Sequence, residues 1–333
     1  MKYYFYLIVS FFIIISCQSN KETIYIIHGE AQGSTYAITY IDTKETIVKR
    51  EVDSILEVID LSMSTYRDDS IISKINANDS IIADNHFRKV LETSQNIYKE
   101  SNGYFDPSIG ILIDAWGFGR KEKHQVPTQQ VIDSLLLYIG MDKVYIDNNN
   151  FVHKKTPYLH LNFNAIAQGY TCDVIANYFK QKGIINFIVE VGGEMVISGR
   201  NTIKNKKWTI GIDNPLQETN NKREIIETIE LENVALATSG NYRKVWTDSI
   251  SGKKYVHTLN PKTGYPEQSN LLSVTVIAPT AIQSDGYATT FMALGLEKSK
   301  ELLNSKPELK VLFMYQNSSN KDKIITERYN FNN

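Results

Sequence analysis

Residues 24–42, IYIIHGEAQGSTYAITYID, alternate apolar and polar side chains on both sides of a glycine-bearing centre. A period of two marks a half-buried strand, so this stretch predicts a strand, a turn and a second strand. Comparable runs predict strand, glycine pair and strand over 185–199, strands at 208–212, 223–240 and 271–279, and a last strand at 310–316. Helical spacing interrupts them. Val48, Val52, Ile55, Leu56 and Ile59 predict a helix over 46–61, and Phe87, Val90, Leu91, Ser94, Ile97 and Tyr98 one over 86–101. Pro127-Thr128 opens another, through about Tyr138, and residues 280–295 read as a helix with Thr280 as N-cap. Residues 158–183 begin as a strand and become a helix near Ala165, with Gly183 as its stop, whereas 103–119 has no clear period and reads as a structured loop. Strands and helices mix without βαβ alternation. The fold class is therefore α+β, one integrated unit, with a division into two lobes left open.

The first residues differ from the rest. Lys2 is followed by an apolar run from Tyr3 to Ile15 and then Ser16-Cys17. The run is shorter than the ~20 residues a spanning helix needs, and it suits a signal-peptide core. Ile14-Ile15-Ser16-Cys17 resembles a lipobox, so residues 1–16 read as a lipoprotein signal peptide, Cys17 as the lipidated residue, 17–23 as a tether and 24–333 as the domain. The simpler alternative is a plain signal peptide with an incidental cysteine. With Cys17 lipidated, Cys172 is the one remaining thiol, which excludes an intramolecular disulfide and a thiolate metal cluster. A buried, inert Cys172 is the expectation. A formal net charge of −1 and the lack of a basic stretch with interleaved aromatics argue against a nucleic-acid partner.

Several short stretches could carry chemistry. Asp285 and Thr289 stand at i and i+4, on one helical face, and could offer oxygen ligands to a hard cation. By itself the pair is weak, and spacing alone favours a solvated carboxylate at a helix start. NFNAIAQGY (162–170) places small residues where a strand gives way to a helix, a junction that can hold an anion or lend a carbonyl to a metal. Gly192-Gly193 would let backbone approach a ligand, or form a simple bulge. Thr238, Ser239 and Arg243 lie near a turn, and Tyr66 could stack on a flat ring or sit at the rim of the core. His257 lies in an extended run beside the turn cluster 260–264, where it could work on a substrate or brace the turn.

In order along the chain, GEAQGSTYAI, MSTYRDDSIISKIN, GYFDPSIGILIDAWGFG, LNFNAIAQGYTCD, VEVGGEM, WTIGI, ALATSGNYRK, YVHTLNPKTGYP and SVTVIAPTAIQSDGYATTFMALG resemble the ApbE family of FAD:protein FMN transferases. The resemblance runs from about residue 29 to 316. It implies a mixed fold of largely antiparallel sheets with packed helices. It implies that FAD, as substrate, is bound through the positions of Gln32, Tyr66, Tyr104, Phe105, Asp106, Asn162, Gln168 and Leu259. It further implies that magnesium is held by the Ala165 carbonyl, Asp285 and Thr289, and that His257 and Asp285 serve catalysis. The chain departs from the family pattern at Asn162 and Asn260, where many members carry Asp, and at Gln168, where they carry Lys.

The implied reaction moves FMN from FAD to a Thr or Ser hydroxyl of an exported or membrane redox protein, releasing AMP. The implied acceptors are subunits of membrane complexes such as sodium-pumping NADH:quinone oxidoreductase or Rnf-type complexes. The implied location is the periplasmic side of a bacterial membrane, the inner one ahead of the outer, through the lipid anchor. Two other readings use the same residues: hydrolysis of FAD to FMN and AMP, and a non-catalytic lipoprotein that carries FAD.

Overall fold

The computed structural model describes residues 21–120, 125–217, 224–241, 245–249, 251–267, 269–317 and 323–331. The signal segment, Cys17, most of the tether and Arg243 lie outside them. A hairpin opens the chain, β1 (Thr23–Ala31) and β2 (Ser34–Asp42), as the alternation predicts. Then come α1 (Lys49–Met63), α2 (Ile71–Asn76), α3 (Asn85–Glu100), α4 (Gly110–Ala115) and α5 (Gln129–Leu136). A small hairpin of β3 (Val144–Ile146) and β4 (Val152–Lys154) leads to α6 (Ala167–Gln181), β5 (Asn186–Val191) and β6 (Glu194–Ser198). Strands β7 (Trp208–Asp213), β8 (Ile225–Leu231), β9 (Val234–Gly240), β10 (Val245–Thr247), β11 (Lys254–Val256) and β12 (Leu271–Ala278) follow. The chain then forms α7 (Ala281–Leu294), α8 (Leu296–Leu303), β13 (Lys310–Gln316) and β14 (Ile324–Tyr329).

Eight strands form one sheet in the order β1-β2-β5-β6-β9-β12-β13-β14, every neighbouring pair antiparallel. The pleat decides what covers each face. Along β13, Val311 and Phe313 join Val274, Val276, Phe291 and Met292 on the helical side. Leu312 and Met314 alternate with them onto the other side, against Trp208, Ile210 and Ile212 of the β7–β8 hairpin. At the β2–β5 end, Ile38, Tyr40, Phe187 and Val189 pack on Val52 and Leu56 of α1 and on Ile175 and Phe179 of α6. Cys172 is buried in this cluster, as expected. Phe313 is fully enclosed, so truncating it to alanine would cost about 3–5 kcal/mol.

A smaller apolar cluster stands beside the layered body. Leu112, Trp116, Ile132, Ile139, Trp246, Tyr255 and Leu259 bring together α4, α5, the β10–β11 hairpin and the turn after it. Trp116 Nε1 donates to the Gly264 carbonyl at 2.8 Å. Gly264 has φ +73, and a Cβ there would lie 2.5 Å from Ile132 Cγ2, so only glycine turns here and still packs on α5.

Four local expectations change. The supposed loop 103–119 contains α4, whose Leu112 and following Trp116 are buried one turn apart; six residues are too few to show a period. The expected strand at 158 reduces, among the described residues, to a single parallel bridge from Ile109 to His160, and the helix begins at Ala167 rather than near Ala165. β14 follows the strand expected to be last. Thr280 stands at the N-cap of α7, but its hydroxyl bonds Gln283 Oε1. The amides of Ala281 and Ile282 donate instead to Asp173 Oδ1 and Oδ2, at 2.8 and 2.9 Å.

Candidate active site

Helices α6 and α7 meet at a glycine. A Cβ on Gly169 would lie 2.3 Å from the Ala281 carbonyl oxygen and 2.7 Å from Asp285 Cβ. Without one, the Gly169 N–H reaches Asp285 Oδ2 at 2.9 Å. Regular helical geometry would pair that N–H with the Ala165 carbonyl, four residues earlier. The first turn of α6 thus turns its Gly169 donor toward α7 and leaves Ala165, on the approach to the helix, with a carbonyl to offer elsewhere. Asp173, one turn further along α6, caps α7 with both carboxylate oxygens and fixes the start of the helix that carries Asp285 and Thr289.

Asp285 is buried, and burial raises its carboxyl well above the usual range, with Gly169 N–H opposing and the Asp173 carboxylate adding to the rise. Among the described residues no Lys, Arg or His is paired with it. A buried anion with one hydrogen bond and no counter-charge is a costly arrangement that a bound cation relieves.

Thr289 lies one turn on, half-buried, with its Oγ1 3.3 Å from Ser239 Oγ on β9. Carboxylate, hydroxyl and carbonyl oxygens are the hard donors magnesium takes, and so few protein ligands leave positions for water and phosphate oxygens. The described residues hold no group of three or more His, Cys, Asp or Glu placed to bind a metal. The donor set therefore fits a magnesium ion shared with a phosphate-bearing substrate better than an all-protein cage.

The remaining candidates arrange themselves around this junction. Gln32 is at the tip of the β1–β2 hairpin with φ +52. Its Nε2 donates to Thr171 Oγ1 at 2.8 Å, and Thr171 in turn donates to the Ala167 carbonyl at 2.8 Å. Its Oε1 is buried without a hydrogen-bond partner, an acceptor in want of a donor. Gln168 lies against the glycine pair: a Cβ on Gly192 would be 2.3 Å from Gln168 Nε2. Gly192 and Gly193 both have positive φ and form the two-residue connection of the β5–β6 hairpin. Asn162 donates its N–H to the Pro107 carbonyl at 2.8 Å, and its Oδ1 accepts from Asn164 N at 2.9 Å, so the approach to α6 is tied to the Tyr104–Asp106 segment.

That segment points three ways. Tyr104 is half-buried; Lys298 Nζ donates to its hydroxyl at 2.6 Å and Lys262 Nζ lies 5.9 Å from its ring centroid. Phe105 is enclosed in the main core. Asp106 is buried, its Oδ1 accepting from Ser108 N at 2.9 Å and Ser108 Oγ at 2.5 Å, and burial pushes its carboxyl up to about 6. Tyr66 is half exposed in the turn between α1 and α2.

His257 is half-buried directly after β11, and Leu259 is buried in the satellite cluster. The turn that follows is closed largely by Asn260. Its N–H donates to the Tyr265 carbonyl and its own carbonyl accepts from Gly264 N, both at 2.8 Å. Its Oδ1 accepts from Lys262 N, and its Nδ2 donates to Glu267 Oε2, both at 2.9 Å.

The structure brings Ala165, Gln168, Asp285 and Thr289 to one helix junction, joins Gln32 to it through Thr171, and ties Asn162 to the segment of Tyr104, Phe105 and Asp106. Sequence reading missed Gly169 and Asp173. Their signal was present: they stand at i and i+4 on α6, the spacing that singled out Asp285 and Thr289 on α7.

The ApbE family model matches residues 32–313. The FAD:protein FMN transferase of Haemophilus influenzae is 33% identical over 305 residues, covering 87% of this chain and 86% of the relative. That of Escherichia coli K12 is 30% identical over 288 residues, covering 84% and 80%. Among solved structures, the flavin transferase ApbE from Vibrio cholerae superposes with a TM-score of 0.80 at 28% identity, over 92% of this chain and 97% of that one. The apo flavinyl transferase ApbE of Pseudomonas stutzeri gives 0.80 at 28% identity, over 92% and 95%. These share the antiparallel sheet and packed helices described above.

Proposed function

The chain belongs to the ApbE family, and on that premise we propose that the α6–α7 junction transfers FMN from FAD to a Thr or Ser hydroxyl of a second protein, releasing AMP. It is an enzyme, an FAD:protein FMN transferase. The observation that carries the finer reading is the buried Asp285 carboxylate, held by the Gly169 N–H and one turn from Thr289 on α7. A magnesium ion held by Asp285, Thr289 and the Ala165 carbonyl would neutralise phosphate charge and stabilise the charge developing on the leaving AMP.

The chain's own residues supply the rest. The N-terminal end of α6 carries the positive end of a helix dipole, favourable to the pyrophosphate. The exposed Tyr66 ring gives the isoalloxazine a surface to stack on, and the orphaned Gln32 Oε1 offers it an acceptor. The acceptor hydroxyl oxygen attacks the phosphorus nearer the flavin, the pyrophosphate P–O bond breaks toward AMP, and His257 takes the hydroxyl proton. Positioning and electrostatics do most of the work in such transfers.

The acceptor is an exported or membrane redox protein, in keeping with the apolar N-terminal run and the Ser16-Cys17 that follows it. Lipidated there, the enzyme works from the periplasmic face of a bacterial membrane, the inner one in preference to the outer. Subunits of sodium-pumping NADH:quinone oxidoreductase or Rnf-type complexes are the acceptors to try first.

The test mixes the purified protein with FAD, magnesium and such a subunit, and reads intact mass and AMP. One FMN added per acceptor, only with magnesium, is the expected result. AMP without adduct in the presence of every acceptor tried would replace transferase by FAD hydrolase. Intact bound FAD would leave a carrier.

A further inference from the structure

The hydroxyls of α7 are not used alike. Ser284 Oγ donates to the Ala281 carbonyl at 3.0 Å and Thr290 Oγ1 to the Gly286 carbonyl at 2.6 Å, so both turn back into their own helix. Such back-bonding is the usual resting place of a helical hydroxyl. Thr289, between them, turns outward and meets Ser239 Oγ across the gap to β9, at 3.3 Å. Ser239 is fixed in register by the pairing of β9 with β12, where it stands opposite Val274. Thr238, its neighbour, faces the opposite side of the strand and spends its hydroxyl on Thr275 Oγ1 at 2.8 Å. Ser239 and Thr289 are both half-buried, so the pair borders accessible space rather than closed core.

A hydroxyl that ligates a cation does so through an oxygen lone pair. Its proton must then point away from the ion and needs an acceptor, or the proton and the cation compete for the same side of the oxygen. Ser239 Oγ is where that acceptor is needed. We propose that Ser239 is a positioning residue for the metal site: it accepts the Thr289 hydroxyl proton and so holds the Thr289 lone pairs toward the cation. This rests on the reading of Asp285 and Thr289 as magnesium ligands. Partners of metal ligands commonly change affinity about 10–100-fold when removed, and a single neutral hydrogen bond places Ser239 near the lower figure.

The test is Mn2+ binding to the full, FAD-free protein, followed by the loss of the free-ion electron paramagnetic resonance signal, so that no turnover is needed. Wild-type protein binds one ion, and Asp285→Ala abolishes binding. Ser239→Ala raises Kd by about 10-fold without lowering the melting temperature, and Ser239→Thr, which keeps the hydroxyl, restores it. In a Thr289→Val background, Ser239→Ala has no further effect, because its route to the metal is gone. Unchanged affinity in Ser239→Ala, or an undiminished effect in the Thr289→Val background, overturns the inference while leaving the metal site standing. Should Asp285→Ala bind as wild type does, the metal reading itself falls, and this inference with it.

Discussion

Gly169 and Asp285 are joined backbone to side chain, N–H to Oδ2 at 2.9 Å, at a point where the two helices are too close to admit even a methyl group. The contact does two things at once. It seats α6 on α7, and it gives a buried carboxylate a backbone donor.

Gly169→Ala should therefore damage the site more than the fold. The new Cβ meets backbone and a helix-bound Cβ, neither of which can swing aside. Overpacking of this kind costs about 1–3 kcal/mol. Thermal unfolding measures that loss, and single-turnover transfer should fall further than the loss of folded protein explains. Equal losses in both would make Gly169 a packing residue only.

Asp285→Asn keeps the shape and an acceptor for Gly169 N–H but removes the charge. The variant should fold at least as stably as metal-free wild type at neutral pH, since a buried unpaired anion is gone. Magnesium should raise the melting temperature of wild type and leave the variant's unchanged. A variant that is stabilised by magnesium as much as wild type would remove Asp285 from the metal site.

Asp106 predicts a pH dependence of stability. Its carboxyl is raised by burial to about 6 in the folded protein from a usual 3.8, against the opposing pull of its Ser108 hydrogen bonds. A raised acid binds its proton more tightly when folded. Its contribution is therefore complete below about pH 4 and is lost as pH rises to about 6, by no more than about 3 kcal/mol. Asp106→Asn should flatten that limb of the curve in chemical denaturation between pH 4 and 7. An unaltered slope would show that Asp106 ionises normally in place.

His257→Ala and Asn260→Ala should behave oppositely. The Asn260 side chain holds the turn by two hydrogen bonds, from Lys262 N and to Glu267 Oε2, so their loss should cost about 1–3 kcal/mol in unfolding free energy. His257→Ala should keep the melting temperature and slow transfer about 100- to 10,000-fold with FAD still bound. If the histidine variant unfolds instead, the ring is a brace and another group takes the proton.

What the sequence made visible follows from periodicity. The β1–β2 hairpin, α1, α3 and the β5–β6 hairpin each repeat their pattern often enough for a face to emerge, and all appear near their expected bounds. α4 did not, because Leu112 and Trp116 are one turn of evidence and the glycines around them read as loop. β14 packs half-exposed at a sheet edge and carries little alternation to read. The Asp285–Thr289 pair was legible as spacing, but its partner Asp173 acts on backbone more than a hundred residues later in the chain. A cap supplied from another helix leaves no local trace, and Thr280, the residue in the right place, drew the assignment instead.

The strand order also sets a timetable. β2 is ready as soon as its hairpin closes, yet its other edge waits for β5, pairing Ile38 with Val189. During synthesis, everything from α1 to α6 must be made before the second edge of that hairpin is covered. Until then two rows of backbone donors and acceptors lie open beside Ile24 and Ile26, on a chain whose first residues read as an export signal. The length of that wait, more than the stability of the finished sheet, is what a nascent chain of this topology must survive.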